Sequence, residues 1–264
     1  MHRKANQIQF NQILSSNPKF ILRGVFLING ESIKKIKKAI NNLEKGKFIL
    51  IYDNEKREGE TDLVMSSKFV KPDSIKTMRK EGGGLIFLMT SKVIADKLKL
   101  PFLSEMYSDI EDRYPVLKEL VPDDIPYDTK SSFSLTINHR DTFTGITDID
   151  RSLTMNKFAE ITKKIEKKDD DVSTKIFGKE FRSPGHIPIC VASQGLLRER
   201  RGHTELVISM MQMAKLPPAG SGCEMIGDNG RALSKKDAIK YAEKNNLVFL
   251  DGKDIIEAWE KWSR

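Results

Sequence analysis

Cysteine is scarce in this chain. Its 264 residues hold two, Cys190 and Cys223. They lie far apart and lack the short spacing of a metal knuckle, which excludes a disulfide framework and suits a reducing compartment. Long apolar runs are missing as well: no stretch reaches the roughly 18 residues that span a bilayer. The apolar run at 20–28 is interrupted by Arg23 and Gly24 and is too short and too poorly flanked for a secretion signal. The cytoplasm is therefore the expected compartment, with no membrane partner. Aromatics are few, with 2 Trp and 5 Tyr, and none falls within several residues of the arginine cluster at 198–201. An RNA-binding module would need stacking platforms beside its basic residues, so nucleic acid is not the expected partner. Gly82-Gly83-Gly84 matches neither the phosphate loop nor the dinucleotide fingerprint, and reads as a helix stop with close backbone packing.

What is present is charge. The net charge is +8 and the pI about 9.3, which allows an acidic partner such as a nucleic acid or a phosphorylated small molecule. The lysine runs at 34–38 and 163–168 read as solvated helix faces. Residues 1–30 read as an extension of unknown order. From 31 to 264 strands and helices alternate without a composition break, which predicts one α/β domain: three layers, with a mixed twisted sheet flanked by helices.

Ile33, Ile36, Ala39 or Ile40, and Leu43 recur at helical spacing, and further helices are predicted over 72–80, 91–100, 152–167, 204–214, 234–245 and 252–262. Strands are predicted over 48–52, 63–66, 85–89, 187–191, 223–226 and 247–250. Over 132–138, Phe133, Leu135 and Ile137 alternate with polar residues, a half-buried strand. The charged segment 104–130 reads as a helix plus surface loop, and 168–174 as a flexible connector.

Five segments carry chemistry. After the predicted strand at 48–52 comes Asp53-Asn54-Glu55-Lys56-Arg57-Glu58-Gly59-Glu60-Thr61-Asp62. Glu58, Glu60 and Asp62 alternate, so in an extended segment they point the same way. Gathered carboxylates raise one another's pKa unless a cation intervenes, which is how a carboxylate becomes a base near neutral pH. Taken alone, the loop also reads as a solvated acidic turn with Lys56 and Arg57 pairing locally. Arg198-Glu199-Arg200-Arg201-Gly202-His203-Thr204-Glu205 opens a helix. Free N–H groups, a hydroxyl and arginines there suit a phosphate, and His203 could complete a metal shell begun by a carboxylate. Phe181-Arg182-Ser183-Pro184-Gly185-His186 presents a histidine on a Pro-Gly turn just before a strand. Glu224 sits in an apolar strand, where an unpaired carboxylate is costly. The hydroxyl-rich loop at 142–151, with Thr144, suits phosphate or sugar hydroxyls, and equally a capped turn into the next helix.

These segments, in this order, resemble the 3,4-dihydroxy-2-butanone 4-phosphate synthase family of riboflavin biosynthesis, the archaeal form most closely. The resemblance runs from about residue 31 onward and includes Ser131-Ser132-Phe133-Ser134 and Thr144-Gly145-Ile146-Thr147-Asp148-Ile149-Asp150-Arg151. It implies a cytoplasmic homodimeric lyase that converts ribulose 5-phosphate to the dihydroxybutanone phosphate and formate with Mg2+ or Mn2+. By resemblance Glu58 and His203 hold the metal. Arg57, Glu58, Asp62, Thr144, Arg200, Arg201, Gly202, His203 and Thr204 bind substrate, with Arg200 and Thr204 on the phosphate. His186, Glu224, Asp53 and Glu60 are the expected catalytic residues, with Asp53 and Glu60 as alternative bases. Gly59-Glu60-Thr61 departs from the bacterial Asn-Glu-Gly order and follows the archaeal one. The chain is expected to lack the cyclohydrolase half of fused versions. Another metal-dependent isomerase or lyase acting on a phosphosugar is the rival enzyme class.

Overall fold

Each central strand divides its apolar residues between two faces. In β1 (Ile49–Tyr52), Leu50 joins one buried cluster while Ile49 and Ile51 join another. The same split separates Leu63 and Met65 from Val64 in β2 (Thr61–Ser66), and Ile86 and Leu88 from Phe87 and Met89 in β3 (Ile86–Thr90). Successive strand residues face opposite ways, so strands that are apolar throughout need a helical layer on each side. The computed structural model, which describes residues 30–264, has both layers. The expected extension at 1–30 lies, but for Gly30, outside the described residues.

The helices are α1 (Gly30–Glu44), α2 (Pro72–Glu81), α3 (Lys92–Leu98), α4 (Leu103–Ile110), α5 (Asp148–Lys164), α6 (Asp170–Glu180), α7 (His203–Met213), α8 (Lys235–Lys244) and α9 (Gly252–Trp262). Residues of α1, α7 and α9 bury against one face of the sheet, and residues of α2, α3, α5 and α8 against the other. With β4 (Phe133–His139), β5 (Phe181–Val191), β6 (Ala219–Glu224) and β7 (Val248–Asp251), the described residues form one seven-stranded sheet ordered β4-β5-β3-β6-β2-β1-β7. The β1–β7 and β3–β5 pairs are parallel and the others antiparallel, so the sheet is mixed, as expected.

Three expectations need correction. The connector at 168–174 is the start of α6. Asp169 caps it by accepting from the Val172 N–H at 2.8 Å, and Asp170 and Asp171 favour its first turn, so the charges that suggested a loop are a helix start. The strand read at 223–226 is Ala219–Glu224. Its Ala-Gly-Ser-Gly sequence looks like a loop, yet it is a central strand that lets neighbours approach closely. A Cβ on Gly220 would lie 2.4 Å from Val207 Cγ1 of α7. The strand read at 187–191 begins at Phe181. β4 pairs Ile137 with Ile187 but Asn138 with Arg182. Residues 183–186 therefore bulge out within β5, and His186 stands on that bulge rather than ahead of the strand.

The bulge depends on Gly185, where a Cβ would lie 2.0 Å from the Ile137 carbonyl carbon and 2.3 Å from Asn138 N. Gly185→Ala is therefore expected to cost about 3 kcal/mol or more, because backbone, not a flexible side chain, would have to move. Thermal denaturation checks this, and a melting temperature equal to wild type would contradict it.

Candidate active site

The loop between β1 and β2 is folded by its own polar groups. The buried Asp53 carboxylate accepts from the Glu58 N–H at 3.0 Å and the Glu60 N–H at 3.1 Å. The Asn54 carbonyl accepts from Arg57 and Gly59, each at 3.1 Å, and its side chain accepts from Lys56 N–H at 2.7 Å. Gly59 has φ of 65°, a left-handed conformation that a side chain would strain. From behind, Lys235 lies 4.5 Å from the Tyr52 ring centre and pairs with Glu55 at 3.3 Å and Asp251 at 2.7 Å. The result presents Glu58 and Glu60 to one cavity.

Asp62 lies within β2, directly across the ladder from Glu224 of β6. His203 is the first residue of α7. The turn ahead of α7 is held by Glu205, which accepts from Gly202 N–H at 3.2 Å, Ser193 N–H at 2.8 Å and Arg200 at 2.6 Å. The two sequence motifs meet here. His203 Nδ1 is 3.1 Å from Glu58 Oε2, and Nε2 is 3.2 Å from the Glu60 carbonyl and 3.7 Å from Asp62 Oδ1. Around them is a cavity of about 270 Å³ lined by Arg57, Glu58, Glu60, Asp62, Arg200, His203, Thr204 and Glu224 among others. A larger hollow of about 600 Å³ is lined by α1, α8, β7 and α9 residues, among them Lys35, Lys235 and Asp254, and no histidine. It lacks the donor set of the smaller cavity.

Electrostatics divide the carboxylates. Burial works against the Glu58 anion, but the His203 hydrogen bond and charge, with Arg57, outweigh it and hold its pKa at about 2. Burial pushes Asp62 up to about 7, with His203 opposing. Both Asp62 oxygens are buried without a hydrogen-bond partner. Burial also raises Glu224 and Glu60, each further raised by neighbouring carboxylates. For His203, burial favours the neutral ring, but Asp62 and then Glu58 push its pKa up to about 10.

The donor set fits a hard divalent cation. Asp53, Glu58 and His203 each bring a ligand atom within 4.8 Å of the others, and the Asp62 carboxylate, neither of its oxygens hydrogen-bonded, lies beside them. Asp53 already spends both oxygens on the loop's N–H groups, which leaves Glu58 and His203 as the freer pair.

Not every expected residue joins this cavity. Arg201 is exposed, and Gly202 acts through the backbone. Arg198 lies 5.5 Å from the Trp259 ring centre, an aromatic neighbour the sequence places far away. His186 and Thr144 form a separate cluster. Asn138 accepts from His186 N–H at 2.8 Å and lies 3.1 Å from its Nδ1. The Thr144 loop is held by Asp150, which accepts from Gly145 N–H at 2.8 Å and the Thr144 hydroxyl at 3.3 Å. Cys190 of β5 lines the cavity, and His186 stands four residues back along that strand, about 13 Å at strand rise.

The cavity is also lined by Tyr127, Phe87 and Cys190, none of which sequence patterns placed in the site, and Asp128 sits behind it against the arginines. Burial pushes the Cys190 thiol up to about 12, so it is a neutral wall group and not a nucleophile. The clustered charges of Arg57 and Arg200 called for a counter-anion, the one available hint to Asp128.

Comparison with known proteins adds to this geometry. The profile of the family described as 3,4-dihydroxy-2-butanone 4-phosphate synthase matches residues 37–258. The chain is similar to the synthase of Methanothermobacter thermautotrophicus, 42% identical over 230 residues, covering 87% of this chain and 97% of that protein. It is 44% identical over 237 residues to the synthase of Methanosarcina mazei, covering 88% and 94%. A Candida albicans synthase structure superposes with TM-score 0.63 at 25% identity, covering 89% of this chain and 98% of that one. A synthase structure in complex with two magnesium ions superposes with TM-score 0.64 at 22% identity, covering 86% and 96%.

Proposed function

The chain belongs to the 3,4-dihydroxy-2-butanone 4-phosphate synthase family, and on that premise we propose that it converts D-ribulose 5-phosphate to L-3,4-dihydroxy-2-butanone 4-phosphate and formate in riboflavin biosynthesis, as a divalent-metal-dependent lyase. The meeting of Glu58 with His203, beside two arginines and three carboxylates of raised pKa, carries this function.

Glu58 and His203 would hold Mg2+ or Mn2+, which supplies charge stabilisation for the oxygens of an enolised ketose. Arg200 and the Thr204 hydroxyl, at the start of α7, would hold the phosphate, with the Arg201 and Gly202 backbone alongside. The reaction enolises the ketose, loses water, shifts the carbon skeleton and expels carbon four as formate. Enolisation needs a base near the sugar. Glu60 faces the cavity with a raised pKa, whereas Asp53 is tied into the loop, so Glu60 is the better placed of the two. Glu224 and Asp62, opposed across the β2–β6 ladder, are placed to pass protons during dehydration and formate loss.

His186 and Thr144 enter this scheme through a homodimer. Their cluster is exposed and adjoins exposed apolar side chains, with Phe143 94%, Ile149 68% and Ile146 49% exposed. A second copy covering this patch could carry the pair to its partner's cavity. The compartment that suits this metabolism is the cytoplasm, and among the described residues no helix is long and apolar enough to cross a membrane.

Incubation with ribulose 5-phosphate, with and without EDTA, tests the assignment. Formate release that EDTA stops is the expected result, and no formate with either metal present would sink it. The raised pKa of His203 gives a second test. The ring carries an extra proton at neutral pH, and a cation needs that lone pair, so binding must expel the proton. Calorimetric Mn2+ titration in buffers of different ionisation enthalpy should show close to one proton released per ion at about pH 7, shrinking as pH rises toward 10. Binding with no proton release would contradict the pairing.

A further inference from the structure

Asp128 sits where no local pattern would put it. It belongs to an irregular strap, residues 121–131, between the short 3-10 helix Pro115–Leu120 and β4. Its Oδ2 lies 2.5 Å from Arg57 Nη2, 2.5 Å from Arg200 Nη2 and 2.7 Å from Arg200 Nε. Arg57 comes from the acidic loop and Arg200 from the turn ahead of α7. A single carboxylate oxygen therefore joins the two halves of the site. The Asp128 side chain is 10% exposed and that of Arg57 is 9% exposed, so the contact is largely withdrawn from water. Next to it, Tyr127 lines the cavity with its ring centre 5.4 Å from the Arg57 guanidinium carbon.

Each arginine keeps another edge on a carboxylate beside it. Arg57 Nη1 donates to Glu58 at 2.7 Å, and Arg200 Nη1 donates to Glu205 at 2.6 Å. The edges that face each other are the ones Asp128 fills. Two guanidinium edges converging on one oxygen also suit a phosphate, which offers three acceptor oxygens and up to two charges.

We propose that Asp128 is a tethered stand-in for a phosphate group: it fills the Arg57–Arg200 cleft until a phosphorylated ligand displaces it, and so sets the site's selectivity for phosphorylated over neutral sugars. This deepens the function proposed above and rests on it. A carboxylate on a short strap competes at an effective concentration on the order of millimolar or more. A phosphate dianion outcompetes it by charge and acceptor number, while a neutral ketose brings no anion and leaves it seated. Most strap residues are exposed, and it carries little regular backbone pairing, so swinging it aside disrupts little of the fold.

Inorganic phosphate is the probe, added to the full-length chain. Asp128→Asn should bind phosphate about tenfold more tightly than wild type by calorimetry, because the neutral amide keeps the shape but surrenders the cleft. Asp112→Asn, which removes an exposed partner of Lys118 just ahead of the strap, should leave phosphate affinity unchanged. In the wild type, phosphate should accelerate tryptic cleavage after Lys130 relative to cleavage after Lys118. That readout decides alone if the Asp128 variant does not fold. Equal or weaker phosphate binding by Asp128→Asn, or slower cleavage after Lys130 with phosphate present, would overturn the proposal. Neither measurement needs turnover. A chain that bound phosphate this way but released no formate would sink the proposed reaction and leave the role of Asp128 standing.

Discussion

Glu58→Gln and His203→Ala each lower formate release from ribulose 5-phosphate by at least about a thousandfold, about 4 kcal/mol of lost transition-state stabilisation. Glutamine at 58 keeps the volume of the side chain and can still touch Arg57, but loses the charge that a hard cation requires. Alanine at 203 removes the one nitrogen ligand in the cluster. Neither position holds the core together. Glu58 is on a loop whose shape is set by Asp53 and Asn54, and the start of α7 is secured by Glu205. Far-UV circular dichroism should therefore match wild type while divalent-cation affinity collapses. Activity within about tenfold of wild type at saturating metal, in either variant, would remove both residues from the metal role.

Asp62→Asn should stabilise the metal-free protein and disable it. Asp62 is 1% exposed, and neither of its oxygens has a hydrogen-bond partner. Its folded pKa is raised from 3.8 to about 7. The sign follows from that direction. The contribution of the group to stability is full below its unfolded pKa and is lost as pH rises through about 7, where the folded chain must carry a buried charge. A shift of about three units corresponds to about 4 kcal/mol, and losing the attraction of Asp62 for His203 returns part of it. A net gain of about 2 kcal/mol near pH 8 raises the melting temperature by roughly 5 °C, and the difference from wild type should fade toward pH 4. Formate release should fall by about a hundredfold, because the carboxylate that destabilises the fold lies against His203 and across from Glu224. A variant that melts lower than wild type near pH 8, or that keeps its activity, would refute this account.

Contiguous segments made the centre of the site legible in the sequence. Asp53 to Asp62 form one loop, and Gly202-His203-Thr204 one helix start, so their residue types could be read locally, and the family resemblance supplied their pairing. The alternation of strands and helices likewise announced a sheet covered on both faces. Residues that act across the chain stayed hidden. Asp128 and Tyr127 come from a charged, Pro-containing stretch with no periodicity, and only the folded chain brings them to Arg57. The separation of His186 and Thr144 from the cavity was equally invisible, because a family motif records residue type and order but not the distance between segments. Two elements were misread because composition stood in for context. The acidic run at 169–171 looks like a loop until its cap is seen, and the small residues of β6 look like a turn until helix α7 is packed on them.

That packing ties the floor of the molecule to its chemistry. Gly220 admits Val207 against the sheet, and Val207 lies one turn along the helix that begins at His203. A side chain added to β6 would lift that helix and with it the imidazole, although the added atoms would touch nothing in the cavity. The residues of this strand are therefore constrained in the way a hinge pin is, by clearance rather than by reactivity. Drift at this strand would be recorded first as a misplaced histidine.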